Sequence, residues 1–222
     1  NPKEIYFKKS EDSNKLIEEF MLIANKKVAE VFNEIKTQKH IYRVHDLPDK
    51  EKLKSLKHIV KSFGYNLDLT SSKGISKSLN ELLLQVKGKA EQNLIESLAL
   101  RSMSKAEYST INIGHYGLAF TNYTHFTSPI RRYPDVLVHR LLELIQKKDF
   151  GKLDKNLQKK AIYCSEQEMV AAKAERDSIK FMQIKFMQDK IGETFSGIIS
   201  GVSDWGIYVE IEENKCEGMV YI

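Results

Sequence analysis

The sequence predicts an α+β chain that is predominantly helical and ends in a short all-β segment. Three observations carry this. Apolar residues recur at three- and four-residue spacing over most positions up to Ile191, the period of a helix face. One stretch, "AEYSTINIGHYGLAFTNYT", interrupts them with β-branched and aromatic residues around Gly114 and Gly117, the composition of one or two strands and a turn. After Gly192 the pattern alternates, Ile207, Val209 and Ile211 against Tyr208 and Glu210, with glycines at 192, 197, 201, 206 and 218.

Taken in order, the first helix has Asp12 or Ser13 as its N-cap. It carries a wide apolar stripe of Leu16, Ile17, Phe20, Ile23, Ala24, Val28, Val31, Phe32 and Ile35. "HIYRVHDLPD" alternates and ends in a proline-containing turn at Pro48, a short strand or extended link. A second helix over 50–63 puts Leu53, Leu56, Val60 and Phe63 on one face and stops at Gly64. "NLDLTSSKG" reads as a loop. Ser78 and Glu81 have capping-box spacing before "LLLQV", with a stop near Gly88 and another helix over about 90–104. "DVLVHRLLELIQKK" is helical. From Asp154 to Ile191 there is neither Gly nor Pro, and Ile162, Met169, Ala172, Ile179, Met182 and Phe186 keep near-helical spacing. A continuous helix there is about 55 Å long; a break near 161–166 is the alternative. Gly192 is its natural C-cap. The roughly 30 residues that remain are too few for an independent β domain, so residue 192 is expected to open a unit that is cut off.

The 222 residues, 41% of them hydrophobic and 29% charged, hold one large domain, or one domain and part of another. A net charge of +5 is mildly basic, far from a histone-like tail. Cys164 and Cys216 form no CxxC pair, which fits a reduced, cytoplasmic setting. No apolar run approaches a membrane span, and the polar start "NPKEIYFKKSEDS" is not a signal peptide. It has no initiator Met, so the chain is expected to begin inside a longer one.

The stretch richest in chemistry is "THFTSPIRRYPD", residues 124–135. Ser128 before Pro129 fits an N-cap with proline at the first helical position, and the helix can restart at Pro134. Arg131 and Arg132 then sit against the positive end of a helix dipole. An anion reverses the sign, because backbone N–H donors and bidentate guanidiniums converge on it. A phosphate site is one reading; the other pairs the arginines with a carboxylate such as Asp135 or Glu143. Tyr116, Tyr123, Phe126 and Tyr133 lie close by and suit either base stacking or core packing.

Residues 115–142, "HYGLAFTNYTHFTSPIRRYPDVLVHRLL", resemble the C-terminal signature of the catalytic domain in the ribonuclease II/ribonuclease R (RNB) family, nearer its ribonuclease R branch. "KLIEEFMLIANKKVAE" (15–30), "IYRVHDLPD" (41–49), "LALRSMSKAEY" (98–108) and "AERDS" (174–178) agree in order, so the resemblance covers about residues 12–191. The stretch from Gly192 resembles the opening strands of an S1 domain, an RNA-binding OB-fold. The resemblance implies that residues 1–191 form the C-terminal part of the RNB catalytic domain and 192–222 the N-terminal strands of an S1 domain. It implies a processive 3′→5′ exoribonuclease that hydrolyses single-stranded RNA to nucleoside monophosphates. Such an enzyme depends on Mg²⁺, takes no small-molecule cofactor, is cytoplasmic and is not expected to form oligomers. Carried over residue by residue, Arg131 matches the arginine that holds the scissile phosphate, and Glu18 and Glu175 match carboxylates lining the RNA channel. Ser128, Arg132 and Tyr133 join them as RNA-binding candidates by position. From the residues alone, Glu18 and Glu175 are equally well solvated helix charges.

The family's chemistry resembles two-metal phosphodiester hydrolysis, with Mg²⁺ held by converging carboxylates. The family supplies these as an aspartate cluster upstream of the region matched here. In this sequence only Asp46 and Asp49 are near-neighbour aspartates, and a helix start at Asp49 explains them. His40, His45, His58, His115, His125 and His139 make no HExxH or His/Cys metal spacing. His45 and His115 belong to family motifs and read as structural hydrogen-bonding groups. The resemblance thus implies an RNA-gripping chain without metal ligands, inactive alone. The alternative is a non-catalytic RNA-binding module on the same scaffold.

Overall fold

The computed structural model describes residues 2–7, 9–35, 40–149 and 156–222. They form two compact units, Ser10–Glu168 and Met169–Ile222, the latter with the described residues that precede Ser10. No helix among the described residues is long and apolar enough to cross a membrane.

In the first unit, helix α1 spans Asp12–Glu34, and Glu11 is its cap, closing a capping box with Asn14. The N-terminal half of its apolar stripe is not buried. Asn25, Ala29 and Phe32 are buried, whereas Leu16, Ile17, Phe20 and Ile23 are 54–60% exposed. Strand β1 (Tyr42–Val44) pairs antiparallel with β2 (Glu107–Ser109), Arg43 opposite Tyr108.

Helix α2 (Lys50–Ser62) starts where Asp49 accepts the N–H groups of Lys52 and Glu51, which hold its carboxyl below the usual range. It buries Leu53, Leu56 and Val60 and ends at Gly64, whose φ of +84° only glycine adopts freely. Phe63, expected on the buried face, is the C-cap and 45% exposed. Helix α3 (Ser72–Val86) begins earlier than the Ser78/Glu81 spacing suggested. Asp68 turns the chain by accepting the N–H of Thr70, Ser71 caps Gly74, and Ser78 bonds the Asp68 backbone instead. Helix α4 (Gln92–Ser102) packs with α2 and α3 around Leu56, Val60, Leu82, Val86 and Ile95.

A second core gathers Phe32, Ile41 and Tyr108 with Leu137, Val138 and Leu141 of α5 (Tyr133–Gln146) and Leu157 and Ala161 of α6 (Leu157–Met187). The interruption between β2 and α5 holds a 3₁₀ turn, Tyr116–Leu118, with His115 bridged to His45 and Phe120. Gly117 is required there. Its N–H donates to His45 Nδ1 at 2.9 Å, and a Cβ would lie 2.8 Å from that atom. The expected start of α6 at Asp154 lies outside the described residues. The helix is unbroken through 161–166. Ile162, Met169, Ile179 and Met182 are 44–54% exposed, so their spacing marks the helix without marking a buried face.

In the second unit, β3 (Gly197–Ser203), β4 (Gly206–Ile211) and β5 (Glu217–Tyr221) form an antiparallel meander with an irregularity between Ile199 and Gly201. Register puts Val202, Ile207 and Val220 on one aliphatic face. The mixed, mostly helical α+β class expected from the sequence holds.

Candidate nucleic-acid interface

The chain leading into the arginine turn is fastened at each residue from 123 to 128. The Tyr123 carbonyl accepts the Arg43 N–H at 2.9 Å. Thr124, fully buried, donates to the Ile41 carbonyl at 2.6 Å. His125 Nδ1 lies 2.8 Å from the Tyr108 hydroxyl. The N–H groups of Phe126 and Thr127 both donate to Oδ1 of Asn25, at 2.9 and 3.2 Å. The Ser128 N–H donates to Asp135 Oδ1 at 2.8 Å. The last three, at Phe126, Thr127 and Ser128, are backbone donors that no helix or sheet satisfies, and side chains satisfy them instead.

Past Ser128 the chain makes one turn, its carbonyl accepting the N–H of Arg131 (3.3 Å) and Arg132 (3.1 Å). Helix α5 starts at Tyr133, with Arg132 as cap and Pro134 in the first turn. The helix start expected at Ser128 is therefore displaced. Asp135 folds back from the first turn of α5 and takes the Ser128 N–H, so Ser128 is only 8% exposed and supports the turn from inside. The backbone N–H groups of Ser128, Arg131 and Arg132 are taken by the protein's own acceptors.

The two arginines part company. Arg132 donates from Nη2 to Asp135 Oδ1 at 2.7 Å, with the carboxylate wholly buried and the arginine side chain 19% exposed. Arg131 is exposed, and no carboxylate among the described residues pairs with it. Glu143, the other candidate partner, is bound to Lys147. Core packing claims most of the nearby aromatics. Tyr123 is buried, Phe126 stacks on His139 with centroids 4.0 Å apart, and Tyr116 accepts a hydrogen bond from Ser76. Tyr133, two residues after Arg131 in sequence, is 48% exposed, and Ile130 at the tip is 97% exposed. The turn brings Ser128, Arg131, Arg132 and Tyr133 together. Glu18 is exposed on the uncovered half of α1, and Glu175 is exposed on α6 in the other compact unit.

The reading of His45 and His115 as structural groups fits the geometry. His45 donates from Nε2 to the Ser104 carbonyl and accepts Gly117 at Nδ1; His115 accepts the Leu118 N–H. Burial, then the neighbouring His45, then Arg43 push the His115 pKa down to about 4. Burial, then Arg132 and Arg43, push His125 down to about 3. Both rings are neutral in the folded chain, yet below their ordinary pKa of 6.5 they bind protons once unfolded. Their stabilisation is complete above that pH and is lost as pH falls toward about 4 and then 3. Urea midpoints are therefore expected to decline steadily below pH 6.5, with a shallower decline in His125→Gln. Identical pH slopes in the two proteins would contradict this.

Asn25 escaped the sequence reading. Its one signal was a polar residue within "LIANKKVA", close to buried Ala29 and Phe32. Among the described residues, no group of three or more His, Cys, Asp or Glu side chains gathers to hold a metal ion. The residues described therefore do not fit the Mg²⁺ that the resemblance implies.

A family profile described as the RNB domain matches residues 1–148. The chain belongs to the RNB family. Ribonuclease R of Aquifex aeolicus is 40% identical over 224 residues, covering 100% of this chain and 32% of its own length. Ribonuclease R of Thermotoga maritima is 41% identical over 217 residues, 95% of this chain and 30% of its own. The RNB chain thus spans about a third of the length of these curated relatives. The RNase R of Mycoplasma genitalium, solved in complex with ribose-methylated single-stranded RNA, has TM-score 0.84 at 32% identity, over 98% of this chain and 35% of that one. Yeast Ssd1, described as a pseudonuclease, has TM-score 0.75 at 27% identity, over 94% of this chain and 26% of that one.

Proposed function

We propose that the protein carrying this chain is a processive 3′→5′ exoribonuclease that hydrolyses single-stranded RNA to nucleoside monophosphates. Mg²⁺ is bound by residues outside this sequence, and this chain supplies the grip on phosphate. The observation that carries the reading is the division of labour between the arginines. Arg132 is committed to a buried carboxylate, while Arg131, with no carboxylate partner among the described residues, is exposed on a turn whose approach is fastened residue by residue. A guanidinium on so rigid a base offers two parallel donors to a phosphate with little backbone ordering left to lose.

Tyr133 offers a ring to a base beside that phosphate. Arg132 and Ser128 hold the turn, and Glu18 and Glu175 line the path of the RNA. Residues 1–191 belong to the catalytic domain and 192–222 open an S1 domain. The protein acts as a cytoplasmic monomer. RNA as ligand is supported by the Mycoplasma genitalium relative, solved with single-stranded and with double-stranded RNA.

A second reading, an RNA-binding protein without catalysis, is favoured by the likeness to yeast Ssd1. End-labelled single-stranded RNA with Mg²⁺ separates the two. The full-length protein is expected to shorten the RNA from its 3′ end, and this chain alone to retain RNA without shortening it. Retention should weaken as salt rises, as phosphate contacts require. Retention without shortening by the full-length protein would favour the second reading. Metal-dependent shortening by this chain alone would overturn the view that its metal ligands lie elsewhere.

A further inference from the structure

We infer that Asn25 is a positioning residue for the phosphate contact of Arg131, fixing from helix α1 the backbone on which the arginine turn is built. This rests on the reading of Arg131 proposed above.

Asn25 is 3% exposed and uses both ends of its amide. Oδ1 accepts the N–H groups of Phe126 and Thr127, and Nδ2 donates to the Tyr123 hydroxyl at 3.1 Å. Flipping the amide would set its NH2 group against the Phe126 and Thr127 N–H groups and break both of those bonds, so the network fixes its orientation. The next donor along, the Ser128 N–H, is taken by Asp135. Three consecutive backbone donors are thus held from two helices, α1 on one side and α5 on the other. Asn25 stands some hundred residues before the segment it holds, a separation of 101 to Phe126 and 102 to Thr127. It is the tie by which α1 determines where the turn sits. Arg131 follows three residues after the last of these donors. A small shift in the segment therefore moves the guanidinium, and a displacement of about 1 Å at a reacting group lowers rates by about 100-fold.

Filling a hole in the hydrogen bonding would require Asn25 with no link to Arg131, and a double-mutant cycle in the full-length protein distinguishes that role from positioning. Asn25→Leu keeps the volume and removes the acceptor and the donor. It is expected to lower kcat on single-stranded RNA about 10- to 100-fold. Asn25→Asp keeps an oxygen for both N–H groups, and the Tyr123 hydroxyl can turn to donate to it, so most of the activity is expected to return. In an Arg131→Ala background, Asn25→Leu is expected to lower kcat no further, because no guanidinium is left to aim.

Should Asn25→Leu fail to fold by thermal melting, Tyr123→Phe takes its place. It removes the hydroxyl that orients the amide, and a smaller drop with the same dependence on Arg131 is expected. An equal drop in both backgrounds, or none with Arg131 present, overturns the inference. Unchanged turnover in Arg131→Ala by itself points to a different failure, that of the phosphate reading beneath it.

Discussion

Replacing Arg131 with alanine is expected to lower kcat on single-stranded RNA by about 100- to 1,000-fold in the full-length protein, the usual effect of removing one preorganised donor to developing charge. The same change should leave stability within about 0.5 kcal/mol, because an exposed side chain with no ion pair among the described residues leaves nothing there unsatisfied when it goes. Arg131→Lys keeps the charge but replaces a planar fork by a point, and only a small part of the rate should return. Affinity for RNA should fall alike for every sequence, with the salt slope reduced by about one, since a phosphate contact carries no base information. Single-turnover kinetics with a denaturant melt on the same preparations would test both halves. Wild-type turnover in Arg131→Ala would remove the residue from the mechanism.

Asp135→Ala is expected to act first on stability, destabilising the fold by about 3–5 kcal/mol, as when one partner of a buried ion pair is deleted. The carboxylate is 0% exposed, and its loss leaves both the Arg132 guanidinium and the Ser128 N–H unpaired inside the protein. The surface pair Lys147–Glu143 has side chains 67% and 60% exposed, and Glu143→Ala should shift stability by under about 1 kcal/mol. Urea unfolding of both variants makes the comparison. A loss below about 1 kcal/mol for Asp135→Ala would mean that water reaches the pair. With the expected losses, two residues four apart in sequence carry different signatures, Arg131 in rate and Asp135 in stability.

The sequence made most elements legible for local reasons. Helix period, the cap at Asp49 and the stops at Gly64 and Gly88 depend on residues a turn apart, and the structure keeps them. What it hid depends on partners far away. Leu16, Ile17, Phe20 and Ile23 have the spacing of a buried stripe, but spacing does not say whether anything covers them, and here they are exposed. At the site, the choice between Arg131 and Arg132 was not readable. Asp135 lies four residues after one and three after the other, and both separations place side chains on one helix face. The decision fell to the turn at Ser128, which puts Arg132 at the cap and Arg131 outside it. Asn25 was hidden for the same reason, since its partners come a hundred positions later.

The turn that carries Arg131 has one more property. A sheet ladder or a helix is written in backbone and tolerates almost any side chain. This turn is written in an asparagine and an aspartate, and so in two codons. A single substitution at Asn25 can change where the arginine points without touching the packed centre of the helix that carries it. Selection can therefore adjust, or switch off, what this surface does to RNA while the fold itself persists.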